Sequence, residues 1–136
     1  MGKIQHTIML KLNSHPSNIA QVEPFVEKLA LQFNLNPDIY GNILISLTEA
    51  VNNAIIHGNC GDESKTVEIQ LKKQKDKLAI LVSDQGCGFN PDNVPDPTAS
   101  ENLLRVGGRG VFLMQQLADH IRYFNNGSTV EMQFKI

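Results

Sequence analysis

The chain has 136 residues, of which 41% are hydrophobic and 19% are charged, a length and composition typical of one globular domain with its own core. We therefore expect a single domain over residues 1–136. Twelve basic and fourteen acidic residues give a net charge of -2 without any basic run, which argues against direct binding to nucleic acid. Because Lys3, His6 and Lys11 interrupt the apolar residues near the start, and no apolar run reaches membrane-spanning length, we expect a cytoplasmic protein without a membrane partner.

The two cysteines, Cys60 and Cys87, have neither the number nor the spacing of a disulfide framework or a zinc site. We interpret both as free thiols. Cys87 lies between two glycines, where a redox role and a small residue tolerated beside a tight turn are both open.

The first part of the chain predicts an edge strand followed by an amphipathic helix. Residues 3–12 alternate between apolar and polar side chains, which is typical of a strand. Residues 18–34 carry apolar side chains at helical spacing. Because Pro24 lacks a backbone N–H, the regular helix should begin only near it, or Pro24 should lie in the first turn.

The longest predicted element is a second helix that begins after Asn36 and runs to His57. Asn36 and Pro37 are typical of an N-cap and a first helical position, and Gly58 is typical of a helix stop. The apolar side chains of this helix form a wide stripe, so the helix should be largely buried. A polar side chain beside that stripe would be partly buried, so it should have a specific role.

The second part predicts two hairpins separated by a long loop and a helix. The strands are expected at 66–72, 78–83, 120–125 and 129–136, and the helix at 111–119. The segment 90–107 is unusually long for a connection between core elements. Connections of this length are typical of a functional loop or lid. The element order predicts an α+β fold, a two-layer sandwich with helices on one face of a mixed, mostly antiparallel sheet.

Glu49 and Asn53 lie one helical turn apart, beside the apolar stripe of the second helix. Mg²⁺ prefers oxygen ligands and typically takes one or two protein groups together with substrate phosphates. Asn53 offers a neutral oxygen to such an ion, and the Glu49 carboxylate could hold one of its waters or accept a proton. Taken alone, the pair is more typical of a solvated helix surface.

Asp84 ends a buried strand and is followed by Gly86 and Gly88. Glycines allow the backbone to approach a flat ligand because they carry no Cβ atom. A carboxylate at this point can accept a hydrogen bond from the exocyclic amine of adenine. A plain turn between strand and loop is the alternative interpretation.

A second glycine-rich segment, which includes Gly108 and Gly110, precedes the predicted helix that starts near Val111. The free N–H groups and the positive dipole end of a helix start bind anions such as phosphates. Arg105 and Arg109 add positive charge that could reach terminal phosphates. The alternative is a flexible connector. The order of the three motifs would place one ATP molecule between the helices and the lid.

These motifs resemble the GHKL ATPase superfamily, which includes DNA gyrase B, histidine kinase catalytic domains and the small bacterial anti-sigma-factor serine kinases, the last being the most similar. Residues 47–58 resemble the N box, 84–89 the first glycine box and 107–114 the second. The resemblance implies a Bergerat-type sandwich that binds ATP and Mg²⁺ under a lid formed by residues 90–107.

The resemblance also implies a role for each matching position. Glu49 would be the catalytic carboxylate, and Asn53 would bind Mg²⁺ and the nucleotide. The other implied positions are Asp84 at adenine, Gly86 and Gly88 along the base, Thr129 beside the base, Gly108, Gly110 and Val111 at the phosphates, and Arg105 or Arg109 at the γ-phosphate. The second glycine box has no serine before Gly108, so the choice between the two arginines stays open.

The implied function is that of a serine/threonine-protein kinase that phosphorylates a STAS-type anti-anti-sigma protein and also binds a sigma factor as a homodimer. A non-catalytic, ATP-gated binding module of the same fold is the alternative, because fold resemblance alone does not settle function. A histidine kinase catalytic domain is disfavoured, since 136 residues leave no room for a dimerisation helix pair.

Overall fold

The computed structural model describes residues 6–86, 117–125 and 128–136. Within these ranges the strands are β1 His6–Asn13, β2 Thr66–Gln74, β3 Lys77–Ser83, β4 His120–Phe124 and β5 Thr129–Lys135. The helices are a 3-10 segment Pro16–Gln21, α1 Val22–Gln32, α2 Pro37–Asn53 and a π-helical turn Ala54–Gly58. The described part contains no helix with the length and apolar character needed to cross a membrane.

The described strands form one sheet in the order β1-β2-β3-β5-β4, and every described pairing is antiparallel. One face of the sheet is apolar, because alternate residues such as Leu71, Ile80 and Met132 are opposite one another in register and fully buried. These side chains join one core with the buried sides of α1 and α2. The predicted α+β sandwich and the edge position of β1 are therefore confirmed.

The start of α2 is stabilised as the sequence predicts. The Asn36 side chain accepts a hydrogen bond from the N–H of Ile39 at 2.9 Å, and Pro37 occupies the first helical position. An asparagine N-cap of this kind contributes about 1 kcal/mol to helix stability. The hairpin of β2 and β3 also forms as predicted, with Lys75 and Asp76 in its turn.

One helix boundary is confirmed and another differs from the prediction. The regular helix α1 begins at Val22, close to Pro24 as predicted, after a 3-10 segment over residues 16–21. Pro24 then lies in the first turn of α1, where its missing N–H costs no helical hydrogen bond. At the other boundary, α2 ends at Asn53 rather than His57, because residues 54–58 widen into a π-helical turn. Single π turns of this kind are frequent at functional sites.

Candidate functional site

The ends of α2, β3 and β5 meet at one end of the sheet. A Cβ atom on Gly58, at the end of the π-helical turn, would overlap the Asp84 carboxylate, and a Cβ atom on Gly86 would overlap the carbonyl group of Gly58. Ser83, the last residue of β3, is opposite Thr129 in register. The structure therefore brings the predicted residues Asp84, Gly86 and Thr129 to the helix end that follows Glu49 and Asn53.

The Asp84 carboxylate is half-buried and held by its own turn. Its Oδ1 atom accepts a hydrogen bond from the N–H of Gly86 at 3.0 Å, and its backbone N–H donates to the Ser128 carbonyl at 2.9 Å. Burial raises the pKa of Asp84 above its ordinary value, and the Gly86 hydrogen bond and the charge of Lys65 only partly oppose that shift. A partly desolvated acceptor with a fixed direction suits recognition of a ligand N–H group.

The raised pKa of Asp84 predicts a pH-dependent stability difference. Folding favours the protonated carboxyl group of Asp84, so this group contributes its full stabilisation of the folded state below about pH 4, the ordinary aspartate pKa. That stabilisation is lost as the pH rises through the raised pKa of the folded state. We expect Asp84→Asn, which mimics the neutral form, to be more stable than the parent chain at pH 7, and this advantage to shrink towards pH 4. Urea unfolding of the nucleotide-free proteins at both pH values measures the difference.

Asp76→Asn provides the control for this experiment, because Asp76 is exposed in the β2–β3 turn. We expect it to unfold like the parent chain at both pH values. An Asp84→Asn chain that is less stable at pH 7, with a deficit that does not depend on pH, would contradict the assigned effect of burial.

Asn53 carries a buried oxygen that has no hydrogen-bond partner among the described residues. Its Oδ1 atom is inaccessible to solvent and has no hydrogen bond within the described part of the chain. Leaving a buried acceptor unsatisfied costs about 1–3 kcal/mol. A buried amide oxygen that is not hydrogen-bonded within the described fold is suited to bind a hard cation such as Mg²⁺, which is the role that the sequence predicts.

Glu49 lies one helical turn before Asn53 and is half-buried. Among the described residues its carboxylate has no hydrogen bond and no ion pair. A carboxylate that is partly desolvated and not engaged in the fold is available to a bound ligand or to a proton.

Thr129 begins β5 and is only 6% exposed. Its hydroxyl group lies 3.1 Å from that of Ser83 and accepts a hydrogen bond from Asn125 Nδ2 at 3.2 Å. The sequence prediction included Thr129 but not Ser83 or Asn125. The pairing of β3 with β5 is the signal that could have found Ser83, because cross-strand neighbours share one face of a sheet.

Several of the predicted site residues lie outside the described part of the chain. They are Gly88, Arg105, Gly108, Arg109, Gly110 and Val111. Cys87, the predicted lid at 90–107 and most of the predicted helix at 111–119 also lie outside it. Cys60 is described and is an exposed free thiol, as predicted.

The contact between Gly58 and Gly86 predicts a large effect of adding one methyl group. In Gly86→Ala the new Cβ atom would meet backbone atoms of Gly58 and Asn59, which cannot rotate away as a side chain would. We expect a loss of about 3 kcal/mol or more in the free energy of unfolding. Gly41→Ala is the matched control, because Gly41 lies in α2 with open space around it. It should instead stabilise the chain by about 0.5–1 kcal/mol.

Thermal and urea unfolding of the two variants would measure this contrast. Equal stability of Gly86→Ala and the parent chain would show that the turn after β3 does not touch the end of α2.

Comparison with known proteins identifies the family. The model of the histidine kinase-like ATPase domain family matches residues 12–134. The anti-sigma F factor of Clostridium perfringens is 32% identical, over 87% of this chain and 80% of that protein. The serine-protein kinase RsbW is 27% identical in Bacillus subtilis, over 92% of this chain and 82% of that protein, and 24% identical in Listeria monocytogenes, over 97% and 88%.

A solved structure supports the fold. The crystal structure of a Mycobacterium tuberculosis chain with RsbU and RsbW domains superimposes with a TM-score of 0.66 at 12% identity, covering 96% of this chain and 32% of that one. The family match implies ATP as the nucleotide, and the relatives confirm the resemblance that the three motifs indicate. The chain belongs to the histidine kinase-like ATPase domain family and, within it, to the serine-protein kinases of the anti-sigma factor group.

Proposed function

We propose that the chain binds ATP with Mg²⁺ where α2, β3 and β5 meet, and phosphorylates a serine or threonine of a STAS-type anti-anti-sigma protein. The observation that carries this proposal is the Asn53 Oδ1 atom, which is buried and has no partner among the described residues. The same helix carries Glu49, whose carboxylate has no hydrogen bond or ion pair within the described ranges. The names of the relatives, serine-protein kinase RsbW and anti-sigma F factor, support the same activity.

Each described site residue has a distinct part in this proposal. The Asp84 carboxylate accepts a hydrogen bond from the adenine amino group, and the backbone of Gly86, which is held against the Gly58 carbonyl, lines the base. Thr129 contacts the base from the start of β5. Asn53 ligates the metal ion, and Mg²⁺ supplies neutralisation of phosphate charge when it is bound. The predicted positions Gly88, Gly108, Gly110, Val111 and one of Arg105 and Arg109 complete the nucleotide site in this proposal.

Glu49 acts as the general base. The acceptor hydroxyl oxygen forms a bond to the γ-phosphorus while the bond from that phosphorus to the β–γ bridging oxygen breaks, so ADP leaves with the bond's electron pair. The hydroxyl proton passes to the Glu49 carboxylate. Phosphoryl transfer depends mostly on positioning and charge neutralisation, so this short list of groups is chemically sufficient.

Control of a sigma factor is the regulatory part of the proposal. The chain, as a cytoplasmic homodimer, binds a sigma factor and withholds it, and phosphorylation of the anti-anti-sigma protein sets how much sigma factor is free. Support for this part comes from the name of the Clostridium perfringens relative.

Incubation with γ-labelled ATP, Mg²⁺ and a STAS-type anti-anti-sigma protein tests the proposal. We expect label on one serine or threonine of that protein, with no label when the Glu49→Gln chain replaces the parent. A stable complex with the STAS-type protein that depends on ATP but transfers no label would instead support the ATP-gated binding module.

A further inference from the structure

A buried asparagine outside the predicted site residues connects the two halves of the proposed site. Asn59 follows the π-helical turn at the end of α2 and is 1% exposed. Its Oδ1 atom accepts a hydrogen bond from the N–H of Gln85 at 2.7 Å. Gln85 lies between Asp84 and Gly86, so this bond ties the turn proposed to hold adenine to the helix proposed to hold Mg²⁺.

The other side of the Asn59 amide is fixed just as firmly. Its Nδ2 atom donates to Ser14 Oγ at 2.6 Å and to the Thr66 carbonyl at 3.0 Å, and Ser14 Oγ in turn donates to the Lys65 carbonyl at 3.0 Å. Because Ser14 is 0% exposed, these bonds lie in the interior at the junction of β1 and β2. The Asn59 side chain therefore has one orientation, and its Oδ1 atom has one position.

Gln85 completes the connection from the opposite side. Its Oε1 atom accepts hydrogen bonds from the Thr66 N–H at 2.7 Å and the Thr66 hydroxyl at 3.2 Å. The backbone of Thr66 thus contacts both Asn59 and Gln85, and the turn after β3 is held on two sides. The direct contact between Gly58 and Gly86 leaves that turn little freedom to shift.

We infer that Asn59 is a positioning residue for the nucleotide, which fixes the Asp84 carboxylate at the place where it recognises the adenine amino group. The inference rests on the proposed function, because it presumes that ATP binds through Asp84. A displacement of about 1 Å in a positioned group can cost about a hundredfold in a binding or reaction step. Loss of the Asn59 acceptor should therefore affect recognition of the base beyond any effect on stability.

Comparison of ATP with inosine triphosphate isolates this role, because inosine triphosphate carries a carbonyl oxygen in place of the amino group. The parent chain should prefer ATP by at least about tenfold, since a site built to pair a ligand N–H disfavours an analogue without it. In Asn59→Ala the dissociation constants for ATP and inosine triphosphate should differ by no more than about threefold. Calorimetric titration in the presence of Mg²⁺ measures both constants, at a temperature where circular dichroism shows that the chain is folded.

Two further variants separate positioning from general stabilisation. Asn59→Asp keeps an oxygen that can accept from Gln85 and loses the donor side, so it should retain most of the preference for ATP although the fold is weakened. Ser14→Ala removes the two hydrogen bonds of the Ser14 hydroxyl on the far side of the amide and should leave the ATP preference within about twofold of the parent. If Asn59→Ala does not fold, Asn59→Ser, whose side chain is one bond shorter, serves in its place.

The possible results separate the adenine role of Asp84 from the positioning role of Asn59. A parent chain that binds ATP and inosine triphosphate equally overturns the adenine role of Asp84 and, with it, the positioning role of Asn59. A parent preference for ATP that survives unchanged in Asn59→Ala overturns the positioning role alone. Equal loss of preference in Asn59→Ala, Asn59→Asp and Ser14→Ala would likewise assign Asn59 a purely structural role.

Discussion

Asn53→Ala is expected to abolish stabilisation by ATP and Mg²⁺ while leaving the nucleotide-free fold as stable as before or slightly more stable. The Asn53 Oδ1 atom has no hydrogen bond in the described structure, so its removal sacrifices no such bond and relieves a buried unsatisfied acceptor. Loss of a metal ligand, in contrast, removes an interaction worth several kcal/mol, which corresponds to an affinity about a hundredfold lower or more.

The thermal midpoint measured with and without ATP and Mg²⁺ tests this expectation. A ligand that binds only the folded state raises stability by about 2.7 kcal/mol at one hundred times its dissociation constant. We expect the parent chain to show such a rise and Asn53→Ala to show none at the same nucleotide concentration. The neighbouring Asn52→Ala is the matched control and should respond like the parent. An unchanged nucleotide response in Asn53→Ala would refute the metal-ligand role.

Glu49→Gln is expected to remove kinase activity and to retain nucleotide binding. The substitution keeps the shape of the side chain and removes its capacity to take a proton, which in general base catalysis is worth about 10²–10⁴ in rate. We expect kcat for phosphorylation of the STAS-type protein to fall by that factor, with KM for ATP within about threefold of the parent. A reduced kcat at constant KM indicates an interaction made only in the transition state.

Glu27→Gln on α1 is the control for this experiment, because that glutamate is exposed and precedes the helix that carries the site. Its activity should equal that of the parent chain. If Glu49→Gln retains kcat within about threefold, the base lies elsewhere; if it loses ATP binding as well, Glu49 serves the nucleotide site rather than the proton transfer.

The parts of the fold that the sequence predicts correctly are governed by local chemistry. The N-cap at Asn36, with Pro37 after it, and the strict alternation of β2 are determined by neighbouring residues, so their patterns can be read directly. The misplaced end of the second helix depends on contacts between distant parts of the chain. The π-helical turn at the end of α2 carries Gly58 against Gly86, and no local pattern encodes that requirement.

The site shows the same division. The spacing of Glu49 and Asn53 and the sequence after Asp84 indicate an ATP site because the motifs are short and continuous. No sequence motif indicates the role of Asn59, because its hydrogen-bond partners Ser14 and Gln85 are 45 and 26 residues away in sequence. An asparagine after a helix-ending glycine is typical of a turn, and only the fold shows that its amide is buried and fully bonded.

The contact between Gly58 and Gly86 limits which substitutions the chain can tolerate. The Cβ position of Gly86 is filled by the carbonyl group of Gly58, and that of Gly58 is filled by the Asp84 carboxylate, so neither position can hold a larger residue unless one segment moves. The hydrogen bond from the Gln85 N–H to the Asn59 side chain spans the same gap. Random substitution should therefore be accepted far less often at positions 58 and 86 than at Gly41, where a Cβ atom meets nothing.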